Sequence, residues 1–407
     1  MTGVVDGPDD RVRLAGRLSA AVAALDPAPP TPTYVVDLDR FDSNAADLAR
    51  RASGTPIRVA TKSLRVPWLI SLALDHPGFH GLLAYTLREA LWLHEEGLSD
   101  DIVLGYPTVD RPALARLTGD ESAAATITLM VDDPAQLDVV DAARTSPVTV
   151  RVALDVDAGL RLGSTHVGPK RSPLRDVDDV VRLARAVVQR PGFVLVGAMT
   201  YEGQVAGVPD DDPEHRARAM VVRRMKQASV AQLKRRRRKV AKALRELADL
   251  EFFNAGGSGS LETSAADPTV TEVTAGSGLL VPALFDRYRS FTPRPAAFFA
   301  LPVVRRPAPD CVTVAGGGLV ASGPTGRDRS PVPWAPPALQ LTALEGAGEV
   351  QTPLVGPGAA GLRIGDLVWF RHAKSGEVAE HVLHAHLVRG DRVVDVVPTY
   401  RGTGNAW

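Results

Sequence analysis

The residue in this chain best suited to covalent chemistry is a lysine that directly follows a β-branched run, in Arg58-Val59-Ala60-Thr61-Lys62-Ser63. A partly desolvated lysine amine gives up its proton readily enough to attack an aldehyde. If Val59 and its neighbours form a strand of a parallel barrel, Lys62 projects from the C-terminal end, where barrel active sites lie. An ordinary surface lysine at a helix start has the same local signature, so Lys62 needs company.

Three further segments supply it. Asn254-Ala255-Gly256-Gly257-Ser258-Gly259-Ser260 follows an apolar run, and Gly276-Ser277-Gly278 lies a little further on. Glycines let backbone N–H groups approach an anion closely and serines add donors, which suits a phosphate. A flexible linker has the same composition, and no complete dinucleotide or Walker pattern is present. Leu154-Asp155-Val156-Asp157-Ala158-Gly159-Leu160-Arg161 holds a turn expected to aim Arg161 back over a barrel mouth. There its permanent charge can donate to a phenolate or carboxylate; a surface ion pair is the plainer reading. Thr200-Tyr201-Glu202-Gly203 offers an aromatic face beside a carboxylate.

The elements that must position these groups alternate between short apolar or β-branched runs and helix-length amphipathic segments. The strand candidates are Thr33–Asp37, Ile57–Thr61, Gly81–Ala84, Ile102–Gly105, Thr126–Val131, Val148–Asp155, Phe193–Thr200 and Glu251–Asn254, with Val270–Val273 as a surplus run. Asp132 or Asp133 with Pro134 marks a helix start. This is the pattern of an α/β protein with a (β/α)8 TIM-type barrel. After Phe291 the texture changes to Pro- and Gly-rich turns around Val312–Ala315, Leu367–Arg371, His381–Val388 and Val393–Val397, which reads as a second, mostly β C-terminal domain. The expected organisation is an N-terminal helix and linker over 1–30, a barrel over 31–290 and a β domain over 291–407. A long basic helix is inserted at 207–250, and its run Lys234-Arg235-Arg236-Arg237-Arg238-Lys239 reads as a solvated face balanced by nearby acids.

At 407 residues the chain exceeds what one core usually supports, and its 45% hydrophobic and 23% charged residues are those of a folded globular protein. The 47 basic and 47 acidic residues cancel, which argues against nucleic acid or an anionic membrane as partner and leaves a small molecule. Cys311 is the single cysteine, and Asp6, Asp9 and Asp10 stand where a secretory leader would need apolar residues. A cytoplasmic protein is expected. His381, His384 and His386 lack a carboxylate at a settled spacing, so no metal is assigned.

Taken in order, Thr31-Pro32-Thr33-Tyr34-Val35-Val36-Asp37-Leu38, Lys62, Arg161, Tyr201-Glu202-Gly203, Gly256-Gly257-Ser258-Gly259 and Gly276-Ser277 make nearly the whole chain resemble the fold-type III pyridoxal-phosphate (PLP) enzymes, the alanine racemase N-terminal-like group. Within it the likeness is to D-threonine aldolase, D-serine dehydratase and the actinobacterial amino acid deaminase/aldolase proteins. The resemblance implies that Lys62 holds pyridoxal 5'-phosphate, that Arg161 contacts its phenolic oxygen side, and that Tyr201, Gly256, Gly257, Ser258, Gly259, Gly276 and Ser277 bind the cofactor. It also implies a homodimer acting on a small amino acid. The aldolases and dehydratases carry a His before the lysine and a metal pair near the C-terminus; Ala60, Tyr400 and Gly402 stand there in this chain. Tyr400 and Arg401 thus become catalytic candidates beside Lys62. Thr274 replaces the racemases' pyridine-facing arginine. The expected activity is a lyase on a β-hydroxy, D-configured amino acid, by retro-aldol cleavage or β-elimination. A PLP-dependent racemase or epimerase, and a barrel that binds PLP without turnover, are the alternatives.

Overall fold

A computed structural model describes residues 6–290, 292, 294–324 and 326–407. Phe291, where the sequence sets the second domain boundary, lies outside them. The chain divides into two compact units: one comprises residues 46–62, 70–276 and 407, the other 1–45, 63–69 and 277–406.

The first unit is a closed barrel of eight parallel strands. They are Ile57–Ala60, Phe79–Ala84, Ile102–Leu104, Ile127–Val131, Val150–Asp155, Phe193–Thr200, Phe252–Ala255 and Glu272–Ala275. Helices alternate with them, and their starts follow from local chemistry. Thr86 accepts from the Glu89 N–H, and Asp133, followed by Pro134, forms a capping box with Gln136. The helix Val177–Val188 buries Val180, Leu183, Ala184 and Val187, one stripe at helical spacing.

The barrel corrects the strand order expected from sequence. Thr33–Asp37 is a strand of the other unit, and the surplus run is the eighth barrel strand, Glu272–Ala275, which pairs with both Phe252–Ala255 and Ile57–Ala60. Lys62 therefore follows the first barrel strand, and the two Gly/Ser turns follow the seventh and eighth. A bidentate ion pair reinforces this closing seam. Arg58 Nε and Nη2 each donate to Glu272 at 2.8 Å, and Asn254 Nδ2 donates to the same carboxylate at 2.8 Å.

The second unit is built on a nine-stranded sheet. Its long strand Ala297–Ala308 pairs antiparallel with Thr33–Asp37, Cys311–Ala315 and Leu367–Arg371, while Thr33–Asp37 also pairs in parallel with His384–Arg389. The N-terminal helix Pro8–Ala23 belongs to this core. Its Leu14, Leu18, Ala21 and Val22 pack with Val35, Phe298, Trp334 and Trp369, and Trp369 Nε1 donates to Ser19 Oγ at 2.8 Å. Among the described residues no helix is long and apolar enough to cross a membrane.

Burial works against charge on Glu272, but the neighbouring His80 ring, Arg58 and Asn254 overcome it and hold the carboxyl at about 2. A carboxyl depressed in the folded state contributes stability that is complete above its unfolded value near ~4.3 and disappears as pH falls through the folded value. Glu272→Gln is expected to lower stability at neutral pH by about 3 kcal/mol or more, because it leaves the buried Arg58 charge underpaired. Denaturant melts should show the variant losing less further stability than the parent between pH ~4.5 and 2.

Candidate active site

All eight barrel strands run in parallel, so the residues that follow them share one mouth. Lys62 sits in the short turn Thr61–Ser63 immediately after the first strand. Its Nζ lies 2.5 Å from the hydroxyl of Tyr106. Tyr106 follows the third strand in Gly105-Tyr106-Pro107, and Tyr201 follows the sixth. The Arg171 guanidinium stands 5.7 Å from the Tyr106 ring centre and 5.6 Å from that of Tyr201, bracketed by two aromatic faces.

Charges at this mouth act on one another. Burial by itself raises the Tyr106 phenol, but the Lys62 charge and hydrogen bond, with Arg171, outweigh it and lower the value. Burial and the Glu202 charge push Tyr201 up to about 12. Burial and the Asp132 charge push Asp155, at the end of the fifth strand, up to about 7 despite Arg171. Asp132 is raised as well, chiefly by burial.

Asp157 organises the next turn. Its carboxylate accepts from the Gly159 N–H at 2.9 Å and from Arg175 Nη1 at 2.6 Å, and lies 3.2 Å from His166 Nε2. The ribbon formed by Leu160–Leu162 and Thr165–Val167 buries Leu160 and exposes Arg161, whose backbone pairs with the Gln232 side chain. Arg171 is the arginine whose guanidinium meets the Tyr106 and Tyr201 rings, while Arg161 is exposed on the ribbon. The ribbon reverses the chain between Leu162 and Thr165 ahead of Arg171. The loop has no periodicity from which that reversal could be read.

The Gly/Ser turn is held from beneath by Glu202, which is 1% exposed. Its carboxylate accepts from Ser260 Oγ at 2.6 Å, from Ser264 Oγ, from the Gly256 N–H at 3.3 Å and from Arg237 Nη2 at 2.6 Å. Every usable lone pair is engaged, so Glu202 anchors the turn and is poorly placed to move protons. Arg237 also donates to Thr200 Oγ1 and to the Thr200 carbonyl. It belongs to the basic run, which is thus only partly a solvated face: Leu233, Arg237, Val240, Ala241 and Leu244 form a buried stripe of the helix Arg216–Arg245.

Gly256 has φ +86°, and a Cβ on Gly257 would lie 3.1 Å from Ala206 Cβ and 3.2 Å from the Tyr201 ring. Side chains are excluded there and bare backbone is presented. Ser258 Oγ accepts from the Gly276 N–H at 3.4 Å, which ties the turns after the seventh and eighth strands together, with Gly259 buried between Ser258 and Ser260. An amine at the mouth and a glycine cradle with serine and N–H donors fit an aldehyde that carries a phosphate.

Of the sequence-expected site residues, Lys62, Tyr201, Gly256, Gly257, Ser258, Gly259 and Gly276 follow strands at the same barrel end, while Ser277, Tyr400 and Arg401 belong to the other unit. There Ser277 Oγ is 3.1 Å from Ser63 Oγ, the Tyr400 N–H donates to the Arg65 carbonyl at 2.9 Å, and Arg401 and Arg65 share Glu380 at 2.8 Å each. His372 is buried and pushed down to about 3 by that burial and by Arg371, so it is neutral near pH 7. Sequence reasoning missed Tyr106, although Gly-Tyr-Pro directly after a strand is a readable turn. Among the described residues, the group able to offer three clustered metal-ligand atoms is Asp212, Glu214 and His215, not His381, His384 and His386.

A barrel with a lysine after its first strand and Gly/Ser turns after strands seven and eight, in a chain that also has a mostly β unit, fits the alanine racemase-like class of PLP enzymes. The chain belongs to the family described as alanine racemase, N-terminal domain, whose model matches residues 36–281. Its cofactor is pyridoxal 5'-phosphate, and family members act on small amino acids as lyases or racemases. No match to the sequence was found among curated proteins. Among solved structures, D-threonine aldolase from Filomicrobium marinum is 22% identical with a TM-score of 0.72, over 92% of this chain and 95% of that one. D-threo-3-hydroxyaspartate dehydratase from Delftia sp. HT23 is 19% identical with a TM-score of 0.69, over 91% and 97%. Alanine racemase from Corynebacterium glutamicum is 17% identical with a TM-score of 0.54, over 83% and 88%. These likenesses show a shared fold.

Asp155 yields a pH prediction for the cofactor-free protein. A carboxyl raised in the folded state binds more protons folded than unfolded between pH ~4 and 7, so it makes stability fall as pH rises through that window. Asp155→Asn is expected to remove this slope, read as a smaller drop in melting midpoint from pH 5 to pH 8.

Proposed function

We propose that this protein is a PLP-dependent lyase acting on a β-hydroxy amino acid of D configuration, by retro-aldol cleavage or by β-elimination with deamination. The carrying observation is the Lys62 amine, 2.5 Å from a phenol, at the same barrel mouth as the glycine cradle. Bound pyridoxal phosphate supplies an electron sink for the bond broken at the substrate's Cα. The names of the aldolase and dehydratase neighbours, on D-threonine and D-threo-3-hydroxyaspartate, support the substrate class.

In this reading Lys62 is the covalent anchor. Gly256, Gly257, Ser258, Gly259, Gly276 and Ser277 receive the phosphate, with Glu202 and Arg237 holding the seventh-strand turn in shape. Tyr201 would hold the cofactor with its ring, and Arg171, which meets that ring, would supply the positive charge at the mouth. An amine must be neutral to attack a carbonyl, and the Tyr106 oxygen is placed to take the Lys62 proton and to return it. Tyr400 and Arg401 are the remaining candidates for a second proton-transfer group. The protein works as a cytoplasmic homodimer.

The purified protein is expected to show a visible absorption band that borohydride removes and that Lys62→Ala lacks. A colourless protein that takes up no added PLP would sink the assignment of Lys62. With the cofactor loaded, D-threonine and D-3-hydroxyaspartate should release aldehyde or ammonia. Interconversion of D- and L-alanine without either product would instead assign a racemase, and no turnover would assign a binding protein.

Tyr106→Phe is expected to slow PLP capture at neutral pH by about 100-fold, the usual scale of a lost general acid–base group. Stopped-flow absorbance would also show the loss shrinking as pH rises, because free hydroxide then deprotonates the amine. An unchanged capture rate would remove Tyr106 from the chemistry.

A further inference from the structure

The basic run is only half accounted for by Arg237. Between the long helix Arg216–Arg245 and the segment that opens the helix Val177–Val188 lies a cavity of about 440 Å³. Arg175, Arg235, Arg236 and Lys239 line it with Gln232, and Asp176 is the single acid among its lining residues. Four cations against one anion is an unusual local balance in a chain whose net charge is zero.

Arg236 marks where the missing charge belongs. Its Nη2 donates to the Asp157 carbonyl, but its Nη1 is buried with no hydrogen-bond partner. A buried donor left unmet is costly, and a native structure that keeps one has a use for it. Burial, then the like charges of Arg175 and Arg237, push Arg236 down to about 10, and the carboxylates of Asp157 and Asp176 only partly offset them. Arg175 is already committed to Asp157, Gly159 and Gln232, so the unmet capacity at this point is that of Arg236.

We propose that this cavity binds a small phosphate-bearing molecule, with Arg236 offering the open donor at its floor, Arg175 adding charge beside it, and Arg235 and Lys239 at its rim. A phosphate group offers several strong acceptor oxygens and close to two negative charges, which matches converging guanidinium groups better than a carboxylate does. The volume exceeds a lone phosphate and falls in the range of about 300–1,000 Å³ that small-molecule sites occupy. Both floor arginines hold the Asp157 turn, two residues from Asp155, so occupancy stiffens the loop beside the barrel mouth. The site stands apart from the glycine cradle and does not rest on the reaction proposed above.

The test is calorimetric titration of pyrophosphate into full-length protein loaded with PLP and freed of excess, at constant ionic strength. Saturable binding of one pyrophosphate per chain is expected, weakened roughly tenfold or more by Arg236→Ala and, separately, by Arg235→Ser with Lys239→Ser. The rim pair is exposed, so that variant tests the site even if Arg236→Ala perturbs folding. The visible PLP band should not change during the titration. Absent saturable heat, parental affinity in both variants, or displacement of PLP would each overturn the proposal. Tighter binding of a single-stranded oligonucleotide than of pyrophosphate would assign the surface to nucleic acid instead.

Discussion

A carboxylate sealed from water has to be met by donors on every side, and Glu202 is the point where this protein accepts that demand. Leaving such a charge underpaired costs about 3–5 kcal/mol, so the four groups around it cannot drift independently. Arg237 comes from the long helix, Ser260 and Ser264 flank the helix start after the seventh strand, and Gly256 contributes backbone. The result is a rigid floor under the very turn that presents bare N–H groups to the mouth. A glycine-rich segment is flexible by nature. Here its freedom is used for close approach and then withdrawn by a buried charge.

Above that floor, charges and rings alternate. The phenol of Tyr106 lies between two cations, and the second of these, Arg171, also faces the Asp155 carboxyl. Groups of opposite tendency thus stand at one barrel mouth: a phenol whose proton is loosened and a carboxyl whose proton is retained. Such paired displacement of acidities, in opposite directions at one barrel mouth, is how sites hold both an acid and a base near neutral pH.

Much of this was readable from residue order alone. Lys62 stood out because a strand leads straight into it, and the Gly/Ser turns because their composition suits little else but an anion or a linker. The strand count slipped at Thr33–Asp37, since a run of Thr-Tyr-Val-Val states that a strand exists but not which sheet receives it. Val270–Val273 looked surplus for the same reason, although Glu272 within it seals the barrel against Arg58. Arg171 went unread because a ribbon before it reverses the chain, and reversals inside irregular loops leave no periodic trace. Arg237 was hidden within a run of like residues, where only the helical phase separates one buried arginine from its exposed neighbours.

The pairing of Thr33–Asp37 carries a consequence for biosynthesis. This strand finds its partners at Ala297–Ala300 and His386–Val388, near the other end of the chain. The apolar stripe of Pro8–Ala23 packs onto residues that include Trp334, Trp369 and Val388. Contacts so distant in sequence form late, after a large loss of chain entropy. Residues 8–37 are therefore made well before they can be buried, and the helix Pro8–Ala23 travels through translation with its greasy face uncovered until the later strands emerge to receive it.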